Sequence, residues 1–460
     1  MKDIGVIVLA AGEGKRMKSK DSKVLCKLIF KPMIRWVIDS CENIGCKKSD
    51  ICIVCPENNE SIIQATDNNF NYVFQKERLG TAHAVSMARD FIKEIDKNNI
   101  LIMLGDAPLV SENILEDFYN YHVEENNSLT VLSSDVKDPF GYGRIVRDKN
   151  NYKNLLKIVE ELECDFSEKL ITEINSGVML FKKESLLLAL DNIDNNNKKK
   201  EYYITSAVSV LLRQGKRVGV FNCHDEAVVL GANTRFQLLK INDIARLRII
   251  EKLANEGVEF ISSDGVIISP DVTIGEGSII YPGVIIKSGT VIGKNCEITS
   301  SSYIESSQIG DGAAIKASYI VGSKIGNNVR IGPFSNVRPN CDIYDGVKIG
   351  DFVEVKNSVV CQKTSIAHLT YVGDSDVGEN VNFGCGCVTV NYDGVNKYRT
   401  TIGDNCFIGC NTNLVAPVKI GNNAYTAAGS TVTEDVPDNS LCIARSRQVI
   451  KENWKIKNRK

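Results

Sequence analysis

Residues 268–304 read ISPDVTIGEGSIIYPGVIIKSGTVIGKNCEITSSSYI, and their spacing decides half of the fold. Ile268, Ile274, Ile280, Ile286, Ile292, Ile298 and Ile304 fall six residues apart. The period returns at Ile325, Ile331, Val337, Ile343, Ile349 and Val355, and again at Ile402, Ile408, Leu414 and Ile420, closing with Val432. A hexapeptide repeat specifies a parallel β-helix, in which each hexad forms one face of a triangular coil and its aliphatic residue points inward. Coils stacked edge to edge share one continuous core, so no coil is stable alone. Gly follows many of the aliphatic positions (IGEG, IGKN, IGNN, IGDN), and the expectation is that it supplies positive φ at the corners. The period fails between Asn391 and Thr401 (NYDGVNKYRTT), and an insertion in a regular solenoid must loop outward.

Upstream of the repeat, Phe236, Leu239, Ile244, Leu247, Ile250 and Leu253 recur at helical spacing, so a connecting helix is expected over 234–254, ended by Asn255–Gly257. Before it, short apolar runs at Ile4–Leu9, Ile51–Val54, Tyr72–Phe74, Ile100–Leu104 and Leu129–Leu132 alternate with amphipathic stretches such as Met33–Ile44 and Ala82–Ile95. That alternation predicts an α/β layered domain with a Rossmann-like, mostly parallel sheet, whose ligands sit beyond the carboxyl ends of the strands. The expected organisation is an α/β domain at 1–230, a connecting helix at 231–257 and a left-handed parallel β-helix at 258–460. The polar run Asn195–Lys200 reads as a solvated surface loop.

The 460 residues carry 55 Lys+Arg against 57 Asp+Glu, a balance that disfavours general nucleic-acid binding, which requires a basic surface. No stretch approaches the roughly 20 apolar residues that span a bilayer. The opening MKDIGVIVLAAGEGKRM reads as a strand and loop, not a signal peptide, so a reducing, cytoplasmic setting is expected. The fifteen Cys then read as small buried hydrophobes, including Cys52-x-x-Cys55 and the pairs Cys385/Cys387 and Cys406/Cys410.

Chemistry-bearing residues gather in two ordered sets. In the first half stand Leu9-Ala10-Ala11-Gly12, Arg16-Met17, Lys23-Val24-Leu25, Gln75, Leu79-Gly80-Thr81-Ala82-His83, and Leu104-Gly105-Asp106-Ala107-Pro108. Gly141-Tyr142-Gly143, Glu160, Asn175-Ser176-Gly177 and Glu201-Tyr202-Tyr203-Ile204-Thr205 follow. A small-residue turn after a strand lets phosphate oxygens reach backbone N–H groups, and Arg16 and Lys23 add positive charge. The order resembles the sugar-phosphate nucleotidylyltransferases. With a hexapeptide solenoid behind it, the whole chain resembles the bifunctional N-acetylglucosamine-1-phosphate uridyltransferase/glucosamine-1-phosphate acetyltransferase family.

The resemblance implies an enzyme that acetylates glucosamine-1-phosphate with acetyl-CoA, then transfers UMP from UTP to N-acetylglucosamine-1-phosphate, releasing pyrophosphate. It implies substrate contacts from Leu9, Ala10, Ala11, Gly12, Lys23, Leu104, Gly105 and Asp106, with uracil held by Gln75, Gly80 and Thr81. The sugar falls to Gly141, Glu160, Asn175 and Asn233, Mg²⁺ to Asp106 and Asn233, and catalysis to Arg16 and Lys23. In the solenoid it implies His368 as general base, a task that suits imidazole. Arg338 and Lys356 match residues on the amino-sugar phosphate, and Tyr371 and Asn382 match sugar contacts. Asn391 matches sugar and coenzyme contacts, while Cys385, Tyr392, Cys410, Ala428 and Arg445 match coenzyme A or acetyl contacts. A homotrimer is implied.

Departures from the family pattern are Lys15, Ser22, Glu161-Leu162-Glu163 after Glu160, Ser206, Asn340, Cys385 and Cys410. A nucleotidylyltransferase with a scaffold solenoid, or a non-catalytic regulatory subunit, are the competing readings. Intact His368, Lys356, Arg338 and NYDG weigh against the first, and intact Lys23, Asp106 and LAAG against the second.

Overall fold

The computed structural model describes residues 2–12, 17, 22–57, 60–148 and 155–454. The chain divides into two compact units, Met1–Ala245 and Arg246–Lys460.

In the first unit the apolar runs become strands of one sheet, in the order Val218–Asn222, Leu129–Asp135, Glu173–Lys182, Asn99–Leu104, Ile4–Leu9, Ile51–Pro56 and Asn71–Gln75. All neighbours are parallel except Glu173–Lys182, which runs against both of its neighbours. The runs are continuously apolar because both faces are covered. Val6 and Val8 join one core cluster with Ile34, Val37 and Phe118, from the helices Met33–Asn43 and Glu112–Glu124. Ile7 joins the other with Val85, Leu186 and Leu211, from Thr81–Met87, Lys183–Asn192 and Ala207–Arg213. The amphipathic stretch 82–95 is two helices, Thr81–Met87 and Arg89–Glu94, separated at Ala88, whose φ and ψ of −89° and 15° leave the helical range.

Sequence patterning misses four strands of this sheet: Arg144–Arg147, Leu155–Val159, Glu173–Lys182 and Val218–Asn222. The first two lie at the sheet margin and are only partly buried, with Arg144 and Arg147 in one and Lys157 in the other, so they lack a continuous apolar run. The run Asn195–Lys200 is more than a solvated loop: Asn197 Nδ2 donates to the Glu201 carbonyl (2.6 Å), and Lys199 lines the pocket described below.

The helix Arg235–Asn255 forms where expected, but its buried stripe is Leu238, Ile241, Ala245, Ile250 and Leu253. Phe236, Leu239 and Leu247 are exposed. Helical periodicity identifies the element without deciding which of two overlapping stripes is covered.

The second unit is a left-handed parallel β-helix whose three faces are sheets of 11, 10 and 9 short parallel strands. Ile268 pairs with Ile286, Ile274 with Ile292 and Ile280 with Ile298, so eighteen residues make one coil and like residues stack into internal ladders. Every aliphatic position of the six-residue period is buried. The ladder continues through Ile309, Ile315, Ile320, Val360, Ile366 and Val372, which a strict period of six skips. The corners there are shorter: Ser306, Ala317, Asn357 and Leu369 take left-handed φ values of 49°, 41°, 46° and 43°.

The glycine of the IG pairs has a different role from the one expected. Gly293 has no positive φ; a Cβ there would lie 2.8 Å from the Asp311 nitrogen on the next coil, so the requirement is close backbone approach. Left-handed φ falls two residues later, at Gly277 (74°) or Asn295 (54°), which explains why Asn substitutes freely for Gly there. Asn340 sits at φ 65°, so Asn in place of the family's Gly keeps the corner.

The cysteines are structural where they are buried. Burial pushes the thiols of Cys52 and Cys55 up to about 12, which keeps them protonated. Cys387 and Cys406 donate inward to the carbonyls of Gly409 (3.1 Å) and Gly421 (2.9 Å).

Candidate active sites

Chain order creates the first site. The strand Ile4–Leu9 connects onward to one flank and is joined on the other by Asn99–Leu104, with Leu9 opposite Leu104. Their carboxyl ends open a crevice where the connection direction reverses, the position where open α/β sheets bind ligands. Ala10–Gly12 leave one strand and Gly105–Asp106 the other, and Gly105 N donates to the Leu9 carbonyl (2.9 Å). A Cβ on Gly105 would stand 3.0 Å from that carbonyl and 3.2 Å from Val24, so Gly permits the approach.

Lys23 Nζ donates to Asp106 Oδ2 and to Asn233 Oδ1 (3.3 Å), with both ionic side chains largely buried. Residues 231–233 are drawn in by Ala232 N to the Asp106 carbonyl (3.4 Å). Gly231, which sequence reasoning missed, leaves room there: its Cβ would lie 3.4 Å from Asp106 Oδ2. Arg78 Nε, also missed, donates to the Ala11 carbonyl (3.0 Å) and steadies the turn. Arg16 and the departure Lys15 lie outside the described residues.

On the same sheet edge, Gln75 Nε2 reaches the Gly80 carbonyl (3.3 Å) and His83 Nδ1 (3.0 Å). Gly80 has φ 117°, and a Cβ would stand within the Tyr202 backbone. Tyr202 binds this turn from both sides, accepting from Ala82 N (2.8 Å) and donating to the Leu79 carbonyl (2.7 Å). Thr81 Oγ1 accepts from Ile204 N (2.9 Å). Next to it lies a pocket of about 240 Å³ to which Thr81, Leu104, Gly141, Glu160 and Asn175 all contribute. Asn175 turns into it because the register of its strand shifts between Asn175 and Met179. Thr205 Oγ1 donates to Glu160 Oε1 (3.0 Å). The departure Glu161 accepts from Gly141 N (3.0 Å) and from buried Arg144 (2.7 Å), and these bonds hold its carboxyl below the usual range.

The second site lies along the solenoid. His368 Nδ1 is 2.8 Å from Asp351 Oδ1, one coil earlier in register. The imidazole hydrogen bond holds the Asp351 carboxyl below its usual range. On the adjoining face, Glu354 pairs in register with Tyr371 and Lys356 with Gly373. Arg338 binds Glu354 (2.9 Å), and Lys356 stands 3.8 Å from Asp374. Asp374, which has a left-handed φ of 50° and is buried, accepts from Asn357 (2.5 Å) and from Asn391. Burial pushes its carboxyl up, but the two amides and the ammonium groups of Lys356 and Lys397 outweigh that and hold it below the usual range. Asn391 Nδ2 also lies 3.4 Å from the Tyr371 hydroxyl, so Asp374 organises Lys356 and Asn391 together.

The period break is an outward loop as expected: residues 392–399 are exposed, and Arg399 clamps its far end to Asp376 (2.9 Å). Tyr392 is on this loop, exposed. Asn382, exposed, pairs with Ser365 on the His368 strand. One corner column then runs away from His368. Asn411 N donates to the Cys385 carbonyl (2.8 Å) and Gly429 N to the Cys410 carbonyl (2.8 Å), so Cys385, Cys410 and Ala428 occupy successive coils. The Arg445 side chain approaches Gly429, 3.7 Å from where its Cβ would be. Asp351 and Asp374 escaped sequence reasoning because their partners are one coil away, 17 residues distant.

A nucleotide-type crevice in one unit and a hexapeptide solenoid with a His–Asp pair in the other define a two-site transferase. The chain matches the Nucleotidyl transferase family over residues 5–227. It matches the Bacterial transferase hexapeptide (six repeats) family over 322–357 and 399–434, and the GMPPB C-terminal domain over 262–335. It is 47% identical to the bifunctional protein GlmU of Thermoanaerobacter pseudethanolicus, over 99% of this chain and 98% of that one. Identity is 44% to that of Acetivibrio thermocellus, over 99% and 98% of the two chains. It is 45% to that of Clostridioides difficile, over 97% and 96%. The chain belongs to the bifunctional GlmU family. It is a nucleotidyltransferase and acyltransferase of UDP-N-acetylglucosamine synthesis. No helix among the described residues is long and apolar enough to cross a membrane.

Proposed function

We propose that the solenoid acetylates glucosamine-1-phosphate and that the crevice of the first unit then uridylylates the product. The observation that carries the reading is the separate wiring of two cationic sites: Lys23 between Asp106 and Asn233, and Lys356 beside Asp374 next to the His368–Asp351 pair.

In acetyl transfer, Arg338 and Lys356 hold the phosphate, and Tyr371, Asn382 and Asn391 orient the sugar. Asp351 accepts the Nδ1 proton of His368, which leaves Nε2 as the base. Nε2 takes a proton from the attacking nitrogen as the N–C bond forms and the C–S bond breaks, and coenzyme A leaves as thiolate. The column Cys385, Cys410, Ala428 spans three coils, two steps of roughly 5 Å each at the spacing of paired strands, and offers a continuous track for an extended coenzyme. Tyr392 and Arg445 contact it at the loop and the far end. Backbone groups of Cys385 and Cys410 take part in the coil ladder, so the thiol side chains are compatible with that role.

In uridylyl transfer, Ala10–Gly12 and Gly105 offer backbone to the triphosphate, and Gln75, Gly80 and Thr81 read uracil. Gly141, Glu160, Asn175 and Asn233 hold the sugar, whose hydroxyls both donate and accept. A sugar-phosphate oxygen bonds to the α-phosphorus, the bond to the β-phosphate breaks, and pyrophosphate leaves. Lys23, with Arg16, offsets the repulsion between the two anions. The donor set fits Mg²⁺, a carboxylate and an amide oxygen that already converge on one cation, Lys23 Nζ. When bound by Asp106 and Asn233, the ion neutralises phosphate charge. A homotrimer in a cytoplasmic setting completes the reading.

The test supplies glucosamine-1-phosphate, acetyl-CoA, UTP and Mg²⁺ and follows free thiol and pyrophosphate separately. His368→Ala should lose thiol release, and with it pyrophosphate, which returns when N-acetylglucosamine-1-phosphate is supplied. Asp106→Ala should lose pyrophosphate even when N-acetylglucosamine-1-phosphate is supplied. Pyrophosphate without thiol in the wild type would reduce the solenoid to a scaffold.

A further inference from the structure

The sugar pocket beside Thr81 carries an imbalance of charge. Three carboxylates line it, Glu160, Glu161 and Glu163. Two are answered by cations of the surrounding chain: Arg144 binds Glu161 (2.7 Å), and Lys198 stands 3.9 Å from Glu163. Glu160 receives, among the described residues, only the neutral hydroxyl of Thr205. The field is felt at Tyr203 on the same wall, whose hydroxyl is pushed up to about 12 by burial and then by the charges of Glu201, Glu160 and Glu163. Such a pocket attracts a cation. Glucosamine-1-phosphate carries one, the ammonium on its sugar ring, whereas N-acetylglucosamine-1-phosphate has a neutral amide in its place. An enzyme that acetylates the first and uridylylates the second meets both at once.

One cationic side chain stands among the described lining residues, Lys199, and it comes from the polar run Asn195–Lys200. Its backbone is fixed by its neighbours. Asn197 Oδ1 accepts from Lys199 N and from Glu201 N (3.2 Å each). Lys198 N donates to Glu163 Oε1 (3.1 Å) and Lys198 Nζ to the Leu162 carbonyl, so Lys198 pins the run against 162–163. The Lys199 ammonium has neither hydrogen bond nor ion pair among the described residues, although three carboxylates share its pocket. On a flexible four-carbon stem it is free to meet whatever fills the pocket.

We propose that Lys199 makes the crevice discriminate between the two sugar phosphates, donating to the acyl carbonyl of N-acetylglucosamine-1-phosphate and repelling the ammonium of glucosamine-1-phosphate. The inference rests on the reading that this crevice uridylylates the acetylated sugar. An amide oxygen accepts from an ammonium, whereas two ammonium groups in one small pocket oppose each other. Lys199 also offsets the charge of Glu160, which would otherwise draw the unacetylated sugar in. Discrimination then comes from a repulsive contact with the wrong substrate as well as an attractive one with the right substrate. The consequence is a fixed order of reactions, acetyl transfer before uridylyl transfer.

The full chain is given UTP, Mg²⁺ and either sugar phosphate, without acetyl-CoA, and pyrophosphate release is measured for each. The quantity read is the ratio of kcat/KM for N-acetylglucosamine-1-phosphate to that for glucosamine-1-phosphate. Lys199→Met should lower this ratio by roughly tenfold, and Lys199→Glu further, with glucosamine-1-phosphate turned over faster than by the wild type. Lys199→Arg, which keeps the charge, should hold the ratio near the wild-type value. A gain on the unacetylated sugar is a result that damage to the fold cannot produce. A wild type active on N-acetylglucosamine-1-phosphate whose ratio does not move in Lys199→Met or Lys199→Glu overturns this proposal alone. A wild type that releases no pyrophosphate from that sugar overturns the underlying reading, and the proposal with it.

Discussion

Asp374→Ala removes the carboxylate that Lys356, Asn357 and Asn391 share. At 3.8 Å and an effective dielectric near 20, the gross attraction to Lys356 is about 4 kcal/mol. The variant also strips the acceptor from two amides in a largely dry place, at about 1–3 kcal/mol each where they stay unsatisfied. Relaxation and water entry recover part of this, so a net loss of roughly 3 kcal/mol from the solenoid is expected. The functional loss follows from geometry: without Asp374, Lys356 and Asn391 are no longer aimed together, and the KM for glucosamine-1-phosphate should rise more than kcat falls. A combined drop in kcat/KM of about a hundredfold corresponds to about 2.7 kcal/mol. Asp374→Asn should be nearly as harmful, because its NH₂ would face one of the two donating amides. Acetyl transfer is read as free thiol, and pyrophosphate release from N-acetylglucosamine-1-phosphate serves as control and should stay within about twofold, because the first unit has its own core. If kcat/KM for acetyl transfer stays within about threefold of wild type while the solenoid's melting temperature falls, Asp374 is only a structural anchor and the positioning argument fails. The pH dependence has a definite sign. The carboxyl's folded pKa lies below its unfolded one, near 3.9, so its stabilisation is complete above that value and is lost as pH falls through the lower folded pKa.

Four further outcomes are expected. Asp351→Asn frees His368 to take the wrong tautomer and should lower thiol release by about tenfold to a hundredfold, with pyrophosphate release unchanged; the two product assays decide it. Lys23→Met leaves Asp106 and Asn233 without their cation and should cut pyrophosphate release by about a hundredfold, measured against unchanged thiol release. Gly293→Ala would press a Cβ to 2.8 Å from the next coil and should destabilise the solenoid by about 1–3 kcal/mol in denaturant unfolding. Asn295→Gly, at a left-handed corner, should stay within about 0.5 kcal/mol.

Much of the architecture is legible because it is written in local periods. Six-residue spacing needs no partner to be recognised: Ile268 through Ile304 are each buried by the same rule, and stacking them is the only way to remove so many aliphatics from water. The motifs LAAG, LGDAPL, AHLTY and NYDG likewise carry their chemistry as short strings. Local periods cannot say which side of an element is covered or which distant residue completes a polar group. Only the tertiary structure chose Leu238 and Ile241 over Phe236 and Leu239 on the connecting helix. Only it assigned close approach to Gly293 and left-handed φ to Asn295, because the clash comes from the neighbouring coil. It alone joined Asp351 to His368, Asp374 to Asn391 and Lys23 to Asn233, pairs separated by 17, 17 and 210 positions. Burying a polar group has a cost that only a partner offsets, and where the partner lies is a property of the folded chain.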